Sequence, residues 1–283
     1  MKTVDQPEFS GLVRKTARKA KVEDLLLAHS QEHIDKIFAA IPKVGLNFID
    51  GDTLVSPGSG EAALNAVGSV LDAVDNVIAE KNSNAFCAVR PPGHHAHRDH
   101  AEGFCLFNNI AIGALSALKH HGLKRVAIVD FDVHHGNGTQ DIMWNEENVL
   151  FVSTHQAGIY PGSGFADQKG AYNNIMNFSL PAGTDGAVFR EIMESQILPR
   201  LNEFGPEMIF VSAGYDAHKD DPLAQFIFTE DDFAYAMTAL VRASEELCEG
   251  RLVAVLEGGY DLAALAKSVA ASLEVMMKEK GHE

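Results

Sequence analysis

The sequence predicts one α/β domain, a mostly parallel, doubly wound sheet flanked by helices. Short apolar runs rich in Val, Ile and Phe recur along the chain, and helical patterns lie between several of them. Strands that are buried on both faces read as unbroken apolar runs, and their alternation with helices implies parallel strands joined by right-handed crossovers. Because the chain shows no low-complexity segment, internal repeat or Pro/Gly/Ser-rich linker, residues 1–283 are assigned to one domain.

Each predicted element follows from its own local pattern. The strands are predicted over six apolar runs: Ala85–Val89, Arg125–Val129, Val149–Ser153, Asn174–Leu180, Met208–Ser212 and Arg251–Leu256. Helices are predicted over six segments: Val22–Ala40, Glu61–Ala79, Asn108–His120, Gly186–Glu203, Glu230–Cys248 and Leu262–Lys278. Thr229 followed by acidic residues is a typical helix start. A stretch rich in Gly, Asp and Pro predicts a loop over Gly45–Gly60.

Composition narrows the possible functions. The net charge is −16, from 39 acidic and 23 basic residues. A net negative charge of this size disfavours direct binding of nucleic acid and favours cationic ligands. The alternative, that the acidic residues serve solubility alone, stays open. With no apolar run of about 20 residues and no secretory signal, we expect a cytoplasmic protein that does not enter membranes. Three cysteines without metal or redox spacing, Cys87, Cys105 and Cys248, are expected to be buried free thiols, which fits a reducing compartment.

The chemistry is expected beyond the carboxyl ends of the strands, where open parallel sheets bind their ligands. After Ala85–Val89, two prolines and a glycine lead into His94 and His95. Paired imidazoles suit general acid–base work, because the pKa of histidine is close to neutral pH. A histidine-rich surface loop is the alternative.

A second strand end carries a metal-ligand pattern. After Arg125–Val129, the residues Asp130, Asp132 and His134 share one face of an extended chain. Three ionisable groups at the end of a buried strand need a cation or partners, and oxygen with imidazole suits zinc or a similar divalent ion. The alternative is a hydrogen-bonded strand end without a metal.

Two further strand ends complete a possible site. Asp216 follows Met208–Ser212, and Tyr260 follows Arg251–Leu256 after two glycines. Taken singly, the aspartate is typical of a turn and the tyrosine of packing. Taken together with the other strand ends, two carboxylates and one histidine form the open three-ligand set of a catalytic zinc, with histidines as bases and a tyrosine as donor to an oxyanion.

These motifs resemble a known superfamily, that of the histone deacetylases and acetylpolyamine amidohydrolases. The resemblance is closest to the class II branch and its bacterial amidohydrolases, covers Val22 to the end, and implies the arginase–deacetylase fold. It rests on six segments: Arg90–His97, Gly103–Phe104, Asp130–Gly138, Ser153–His155, Ser212–Leu223 and Leu256–Tyr260.

The resemblance implies a zinc-dependent deacetylase that cleaves the acetamide of acetyl-lysine. It implies Asp132, His134 and Asp216 as zinc ligands. His95 is the implied base and His94 its electrostatic neighbour. The remaining roles implied are side chains that orient the two histidines (Asp130 and Asn137), the oxyanion donor (Tyr260), channel walls (Gly103, Phe104, Tyr160 and Leu223) and a rim aspartate (Asp52). A structural potassium ion is also implied, on backbone oxygens of Asp130, Asp132, His134 and Thr154 and on the Ser153 hydroxyl.

Departures from the family pattern leave alternatives open. Residues 1–21 look too short for the family's first strand and rim loop, so this segment is expected to be truncated or atypical. Leu223 replaces the glutamate of polyamine-selective relatives, which favours acetyl-lysine over acetylpolyamines. A small-molecule amidohydrolase and a non-catalytic acyl-lysine-binding module stay as alternatives, and a homo-oligomer is possible. Fe(II) or Co(II) could replace zinc, whereas a di-manganese arginase-like site lacks ligands around His134.

Overall fold

A six-stranded, fully parallel sheet forms the centre of the fold in the computed structural model, which describes residues 3–80 and 83–278. The strand order is β3-β8-β7-β4-β5-β6, and a separate antiparallel hairpin pairs β1 with β2. The strands are β1 Asn47–Phe48, β2 Leu54–Val55, β3 Asn84–Cys87, β4 Val126–Asp130, β5 Val149–Gln156, β6 Ile175–Leu180, β7 Ile209–Ala213 and β8 Leu252–Leu256.

Helices surround this sheet. The α-helices are α1 Val22–Leu25, α2 Gln31–Ala40, α3 Ser59–Ala79, α4 Asn109–His121, α5 Asn137–Met143, α6 Gly186–Ile192, α7 Leu198–Phe204, α8 Glu230–Cys248 and α9 Leu262–Lys278. A short 3-10 turn covers Pro7–Phe9, and a π-helical turn over Met193–Ile197 joins α6 to α7.

The sheet separates two apolar cores. Within β4, Val126 and Ile128 point to a core built with α2, α3 and α4, while Ala127 and Val129 point to a core built with α6, α7 and α8. The same alternation runs through β5, β7 and β8. Since the strands are buried on both faces, they read as unbroken apolar runs. The predicted fold class, a parallel sheet with helices on both faces, is confirmed.

The strand order places a crevice at the end of β4. From β4 the chain moves outward through β5 to β6, and then returns to build β7 and β8 on the other side of β4. Ligands of open parallel sheets bind where the winding direction reverses. At this position Asp130 is level with Ser153 of β5 and with Ser212 of β7.

Three predicted elements were wrong in detail. Val22–Ala40 is two helices, because the Ser30 hydroxyl caps α2 by accepting from the His33 N–H at 3.2 Å. The predicted loop Gly45–Gly60 contains the β1/β2 hairpin and the first two residues of α3. Gly186–Glu203 is interrupted by the π turn, since Pro199 has no N–H for the preceding turn and crowds it.

The segment before α1 runs along α3. The Arg18 N–H donates to Asp72 Oδ2 at 2.7 Å, and the Ala20 N–H donates to the Leu64 carbonyl at 3.0 Å. The crossing is so close that a Cβ at Gly68 would lie 1.9 Å from the Arg18 carbonyl oxygen. The expectation that residues 1–21 are truncated or atypical stays a prediction, and residues 1–2 lie outside the described residues.

Helix α3 is long and apolar enough to suit a membrane span, and among the described residues it is the one helix of that kind. A core helix of a globular domain meets the same criterion, and α3 buries eleven of its residues between the sheet and its neighbours.

Candidate active site

The ends of four neighbouring strands, β3, β8, β7 and β4, meet at the carboxyl edge of the sheet. The loop after β4 supplies Asp132 and His134, and the loop after β7 supplies Asp216. One ligand atom from each of these three residues lies within 4.8 Å of the other two, and all three side chains are buried. The predicted ligand set is therefore assembled from two strands that are neighbours in the sheet.

Backbone N–H groups fix the two carboxylates. Asp132 accepts from the His134 N–H at 2.9 Å and from the Gly258 N–H at 2.8 Å, while Asp216 accepts from the Val133 N–H at 3.0 Å. The loop after β8 approaches so closely that a Cβ at Gly258 would lie 2.2 Å from Asp216 Oδ2. The carboxylates are thus held in position by the protein itself.

The charge balance of this cluster favours a bound cation. His134 Nδ1 lies 3.2 Å from Asp132 Oδ1 and 3.0 Å from Asp216 Oδ2. Burial and the nearby Asp132 charge raise the pKa of Asp216 to about 7. Burial opposes protonation of His134, but the two carboxylates outweigh it and raise the pKa of the imidazole to about 11. Two carboxylates and one imidazole are the donor set of a catalytic divalent metal, so the residues fit the implied ion.

The two neighbouring histidines have different partners. Their ring centroids lie 4.0 Å apart. His94 Nδ1 lies 2.9 Å from the Asp130 carboxylate, and His95 Nδ1 lies 2.7 Å from the amide oxygen of Asn137. Since an amide oxygen only accepts, His95 carries its proton on Nδ1 when neutral, and Nε2 is left as the acceptor.

These partners separate the protonation states of the pair. Burial opposes a charge on His94, but the Asp132 and Asp130 carboxylates outweigh it and raise the pKa of His94 to about 10. Burial and the positive charge on His94 hold the pKa of His95 well below its usual range. At neutral pH the geometry therefore provides a cationic His94 beside a neutral His95, which is the separation expected of an acid–base pair.

Glu257 is a site residue that the sequence analysis did not assign. Its buried carboxylate accepts from the Gly93 N–H at 2.7 Å, the His94 N–H at 3.1 Å and the Ser212 hydroxyl at 3.1 Å. Burial raises the pKa of Glu257 to about 7. It ties the loop of the histidine pair to β7 and β8. An acidic residue at the end of an apolar strand, directly before two glycines, was the available signal.

An aromatic pair borders the approach to the histidines. The Tyr160 ring lies 5.1 Å from the His95 ring, and the Phe104 ring lies 6.1 Å from the Tyr260 ring. Gly103 adopts φ +56°, and a Cβ there would lie 2.5 Å from His95 Cδ2. Glycine is therefore required for both the backbone conformation and the close approach. Phe104 and Tyr160 are 37% and 40% exposed, and their role as channel walls stays a prediction.

Tyr260 is held at the edge of this site by Asp221. The Asp221 carboxylate accepts from the Tyr260 N–H at 2.8 Å and from the Leu223 N–H at 3.0 Å. Burial and the nearby Asp216 carboxylate raise the pKa of the Tyr260 hydroxyl, so it stays protonated and able to donate. Asp221 was not identified from the sequence. Leu223 is 46% exposed, and its place in the channel wall stays a prediction.

Asp52 lies at the periphery rather than among the other site residues. The Thr53 hydroxyl donates to Asp52 at 3.2 Å and accepts from the Phe104 N–H at 3.1 Å. Burial and the neighbouring Asp50 raise the pKa of Asp52. The structure thus places Asp52 beside the loop that carries Phe104, and its role on the rim stays a prediction.

Three of the residues predicted to hold potassium, Asp130, Ser153 and Thr154, are neighbours at the end of β4 and within β5. β4 and β5 are in register at Asp130 and Ser153, and the Thr154 hydroxyl donates to the Asp130 carbonyl at 3.5 Å. The Ser153 hydroxyl lies 2.9 Å from His155 Nδ1. Hydroxyl and carbonyl oxygens are the donor chemistry of a hard cation. The potassium site itself stays a prediction.

Comparison with known proteins gives a consistent result. The family model described as "Histone deacetylase domain" matches residues 2–276. The chain is 42% identical over 274 residues to "Histone deacetylase 10, chloroplastic" of Oryza sativa subsp. japonica, covering 92% of this chain and 62% of the relative. It is 40% identical over 263 residues to "Histone deacetylase-like amidohydrolase" of Pseudomonas aeruginosa, covering 89% and 68%. The crystal structure of the HDA15 HD domain superposes with a TM-score of 0.90 at 32% identity, covering 99% and 82%.

The fold and these comparisons therefore define a domain of the deacetylase and amidohydrolase class. The chain belongs to the histone deacetylase family, because the family model spans nearly all of it. The predicted superfamily is confirmed. The chain spans less than two thirds of the length of the rice relative.

Proposed function

We propose that this chain is a zinc-dependent deacetylase that hydrolyses the acetamide of acetyl-lysine in a protein or peptide. One observation carries the proposal. The ligand set of Asp132, His134 and Asp216 lies beside two histidines whose protonation states are driven apart. Amide hydrolysis requires a metal held by three protein ligands with the fourth coordination position open, a neutral base and an adjacent cation.

Asp132, His134 and Asp216 would hold the zinc ion. When bound, zinc supplies a Lewis acid for the amide carbonyl and lowers the pKa of a bound water toward 7. Oxygens of Asp130, Asp132, His134, Ser153 and Thr154 would hold potassium, whose charge would offset the carboxylates around the same turn.

The side chains divide the proton transfers between them. His95 accepts the proton of the attacking water at Nε2 while its Nδ1–H stays on Asn137, and later returns that proton to the leaving amine. The cationic His94 stabilises the negative charge that develops beside it. The Tyr260 hydroxyl donates to the tetrahedral oxyanion, a contribution of about 2.7–4 kcal/mol by analogy with other oxyanion donors.

The walls of the approach support an acyl-lysine substrate. Phe104 and Tyr160 offer aromatic surface on the route to His95, which suits the methylene stem of a lysine. A leucine at position 223 adds no charge to the entrance, so the substrate needs no second ammonium group there.

Acetylated polyamines are the second candidate substrates, and the acidic rim supports them. Asp50 and Glu102 both raise the pKa of Asp52, so several carboxylates lie close enough to attract one cation. The ratio of kcat/KM for an acetyl-lysine peptide and for an acetylated polyamine decides between the two. A higher value for the polyamine would overturn the choice of acetyl-lysine and leave the hydrolytic mechanism in place.

The test of the proposed reaction is turnover of a fluorogenic acetyl-lysine peptide by the zinc-loaded protein. We expect activity that a hydroxamate chelator abolishes, and a loss of about 10²–10³-fold in Tyr260→Phe. Tyr172→Phe is the matched control, because Tyr172 is exposed and is expected to leave turnover unchanged.

Two results would contradict the proposal. Absence of turnover with zinc bound would favour a module that binds acyl-lysine without cleaving it. Absence of bound metal would remove the basis of the mechanism.

We also propose a cytoplasmic location. Three buried free cysteines support it, because thiols persist in reducing compartments. Cell fractionation tests the location, and enrichment in a membrane or organelle fraction would contradict it.

A further inference from the structure

A second group of metal-ligating side chains lies at the rim of the site. It consists of His97, His100 and Glu102 and is called the rim cluster below. One potential ligand atom from each residue lies within 4.8 Å of the other two. The inner ligands are fully buried, whereas His97 and Glu102 are partly exposed and His100 is exposed. The rim cluster is made from one loop, the segment that follows the histidine pair.

Backbone hydrogen bonds hold this loop in shape. The His97 N–H donates to the His100 carbonyl at 2.9 Å, and the Cys105 N–H donates to the Glu102 carbonyl at 2.9 Å. The loop before α2 adds two anchors, since His29 Nδ1 lies 2.8 Å from the His97 carbonyl and the Ser30 N–H donates to the Arg98 carbonyl at 2.9 Å. The three side chains therefore project from a fixed backbone.

Their spacing suits a small divalent cation. His97 Nε2 lies 3.5 Å from Glu102 Oε1, and His100 Nε2 lies 3.9 Å from Glu102 Oε2. Ligand atoms around a tetrahedral zinc ion, with bonds of about 2.1 Å, lie roughly 3.4 Å apart. The three ligand atoms of the rim cluster lie within 4.8 Å of one another. Closing around an ion therefore requires side-chain movements of up to about 1.4 Å, and His100 and Glu102 are side chains at the surface that can make them.

Each imidazole also has a carboxylate on its other nitrogen. His97 Nδ1 lies 3.2 Å from Asp141 Oδ2, and His100 Nδ1 lies 2.7 Å from Asp99 Oδ1. This arrangement is typical of metal-binding histidines, because the carboxylate orients the ring and increases the basicity of the free nitrogen. The rings are stacked, with centroids 4.1 Å apart, so both Nε2 atoms are presented toward Glu102.

We propose that His97, His100 and Glu102 form a second site for a divalent transition metal such as zinc, separate from the inner set. Two imidazoles and one carboxylate are a donor set that zinc uses, and water can complete the coordination. The carboxylates of Glu102, Asp99 and Asp141 supply the negative charge. An open cavity of about 350 Å³, lined in part by Asp99, His100 and Glu102, gives an ion access.

The rim cluster is connected to the histidine pair through Asn137. The amide nitrogen of Asn137 donates to Glu102 and lies 3.0 Å from His97 Nε2, while its oxygen accepts from His95. An ion bound to His97 Nε2 would displace the contact between this nitrogen and the Asn137 amide, and Glu102 would remain as the partner of that amide. The proposed ion therefore lies two hydrogen bonds from His95, and its effect on turnover depends on the proposed function, although the site itself does not.

The experiment is a zinc titration of metal-stripped protein by calorimetry, with metal content measured after dialysis. We expect two zinc ions per chain for the wild type and one for His100→Gln, because His100 contributes to the rim cluster only. His120→Gln is the matched control, since it removes an exposed histidine at the end of α4 and should keep both ions. Bound zinc must displace protons from histidine, so the titration is run at about pH 8.

The outcomes separate this inference from the proposed function. One zinc ion in both the wild type and His100→Gln would overturn the second site and leave the inner site intact. One ion in the wild type that is lost in His100→Gln would support the rim cluster and contradict the inner site. As a second measurement, excess zinc should raise the Tm of the wild type more than that of His100→Gln. Equal shifts would count against the proposal.

Discussion

Within residues 3–80 and 83–278, buried carboxylates occur in two regions, and their surroundings differ. At the N-terminus of α8, Asp232 accepts from the Thr229 N–H at 2.9 Å and the Thr229 hydroxyl at 3.0 Å, and it pairs with Arg190 at 2.8 Å. At the edge of the sheet, Asp132 and Asp216 lie close together and share the imidazole of His134. The first carboxylate has an arginine of its own, whereas the second two face each other in a buried site, and burial with their mutual repulsion raises the pKa of Asp216 to about 7.

The difference indicates that the carboxylate at the start of α8 serves stability, whereas the pair at the sheet edge has another role. A buried carboxylate with a matched cation and hydrogen-bond donors adds to the stability of a helix end. Two buried carboxylates around one imidazole cost free energy in the absence of a cation, because like charges repel in a medium that solvates them poorly. A fold keeps such an arrangement where binding of a cation offsets the cost, which supports the proposed metal site at the sheet edge.

The largest expected effect is at Asp216, and it has opposite signs for activity and stability. Asp216→Asn removes a ligand, and we expect loss of the inner zinc and a fall in turnover of more than about 10²-fold. The same change relieves the repulsion with Asp132. Metal-stripped Asp216→Asn should therefore resist urea better than metal-stripped wild type, and zinc should reverse that order. Turnover, metal content and urea midpoints measure the three effects.

Asp220→Asn is the control for this prediction. Asp220 is exposed and lies in the same loop, so its replacement should leave zinc content and turnover unchanged. If metal-stripped Asp216→Asn were less stable than metal-stripped wild type, the two inner carboxylates would not be in repulsion, and the contrast with α8 would fail.

An intermediate effect is expected at Glu257, which is at the sheet edge but is saturated with hydrogen bonds. Glu257→Ala leaves the buried N–H groups of Gly93 and His94 without an acceptor, at a cost of about 1–3 kcal/mol in stability. Because the loop of the histidine pair loosens, kcat should fall about 10–100-fold while KM changes little.

The conservative variant shows whether Glu257 acts through position. Glu257→Gln keeps an oxygen acceptor for the two N–H groups, so it should recover most of the stability and turnover lost in Glu257→Ala. Steady-state kinetics and urea unfolding of both variants check this. Equal damage in the two variants would mean that the charge of Glu257, rather than its hydrogen bonds, is what matters.

The sheet was predictable from the sequence because burial on both faces leaves unbroken apolar runs. The failures came where local chemistry interrupts a periodic pattern. The apolar spacing of Val22–Ala40 continues through Ser30, but the hydroxyl of that residue starts a new helix. Pro199 lies within an otherwise helical pattern, and the chain accommodates it with a π turn rather than by ending the helix.

The inner site was predictable because each of its residues follows an apolar run, and parallel strands bring their carboxyl ends together. Glu257 and Asp221 were missed because their role is to accept backbone N–H groups from other loops. The position of Glu257 before two glycines is a signal in the sequence, but which N–H groups each carboxylate accepts depends on how the loops approach in three dimensions. His97 was quoted within a motif but given no role, since Asp141, its carboxylate partner, lies 44 positions along the chain.

The smallest expected effect is at Asp232, and it affects stability alone. Burial opposes ionisation, but Arg190 and Thr229 outweigh it and hold the pKa of Asp232 below its usual range. Its contribution is therefore present above the unfolded pKa of about 3.9 and is lost as pH falls through the lower folded value. Asp232→Asn should lower the free energy of unfolding by about 1 kcal/mol at pH 7, and the difference should shrink toward zero in acid. Urea unfolding at pH 7 and in acid measures this difference in the free energy of unfolding, with exposed Asp231→Asn as the control. A difference that persisted in acid, or a change in kcat, would show that Asp232 does more than stabilise the start of α8.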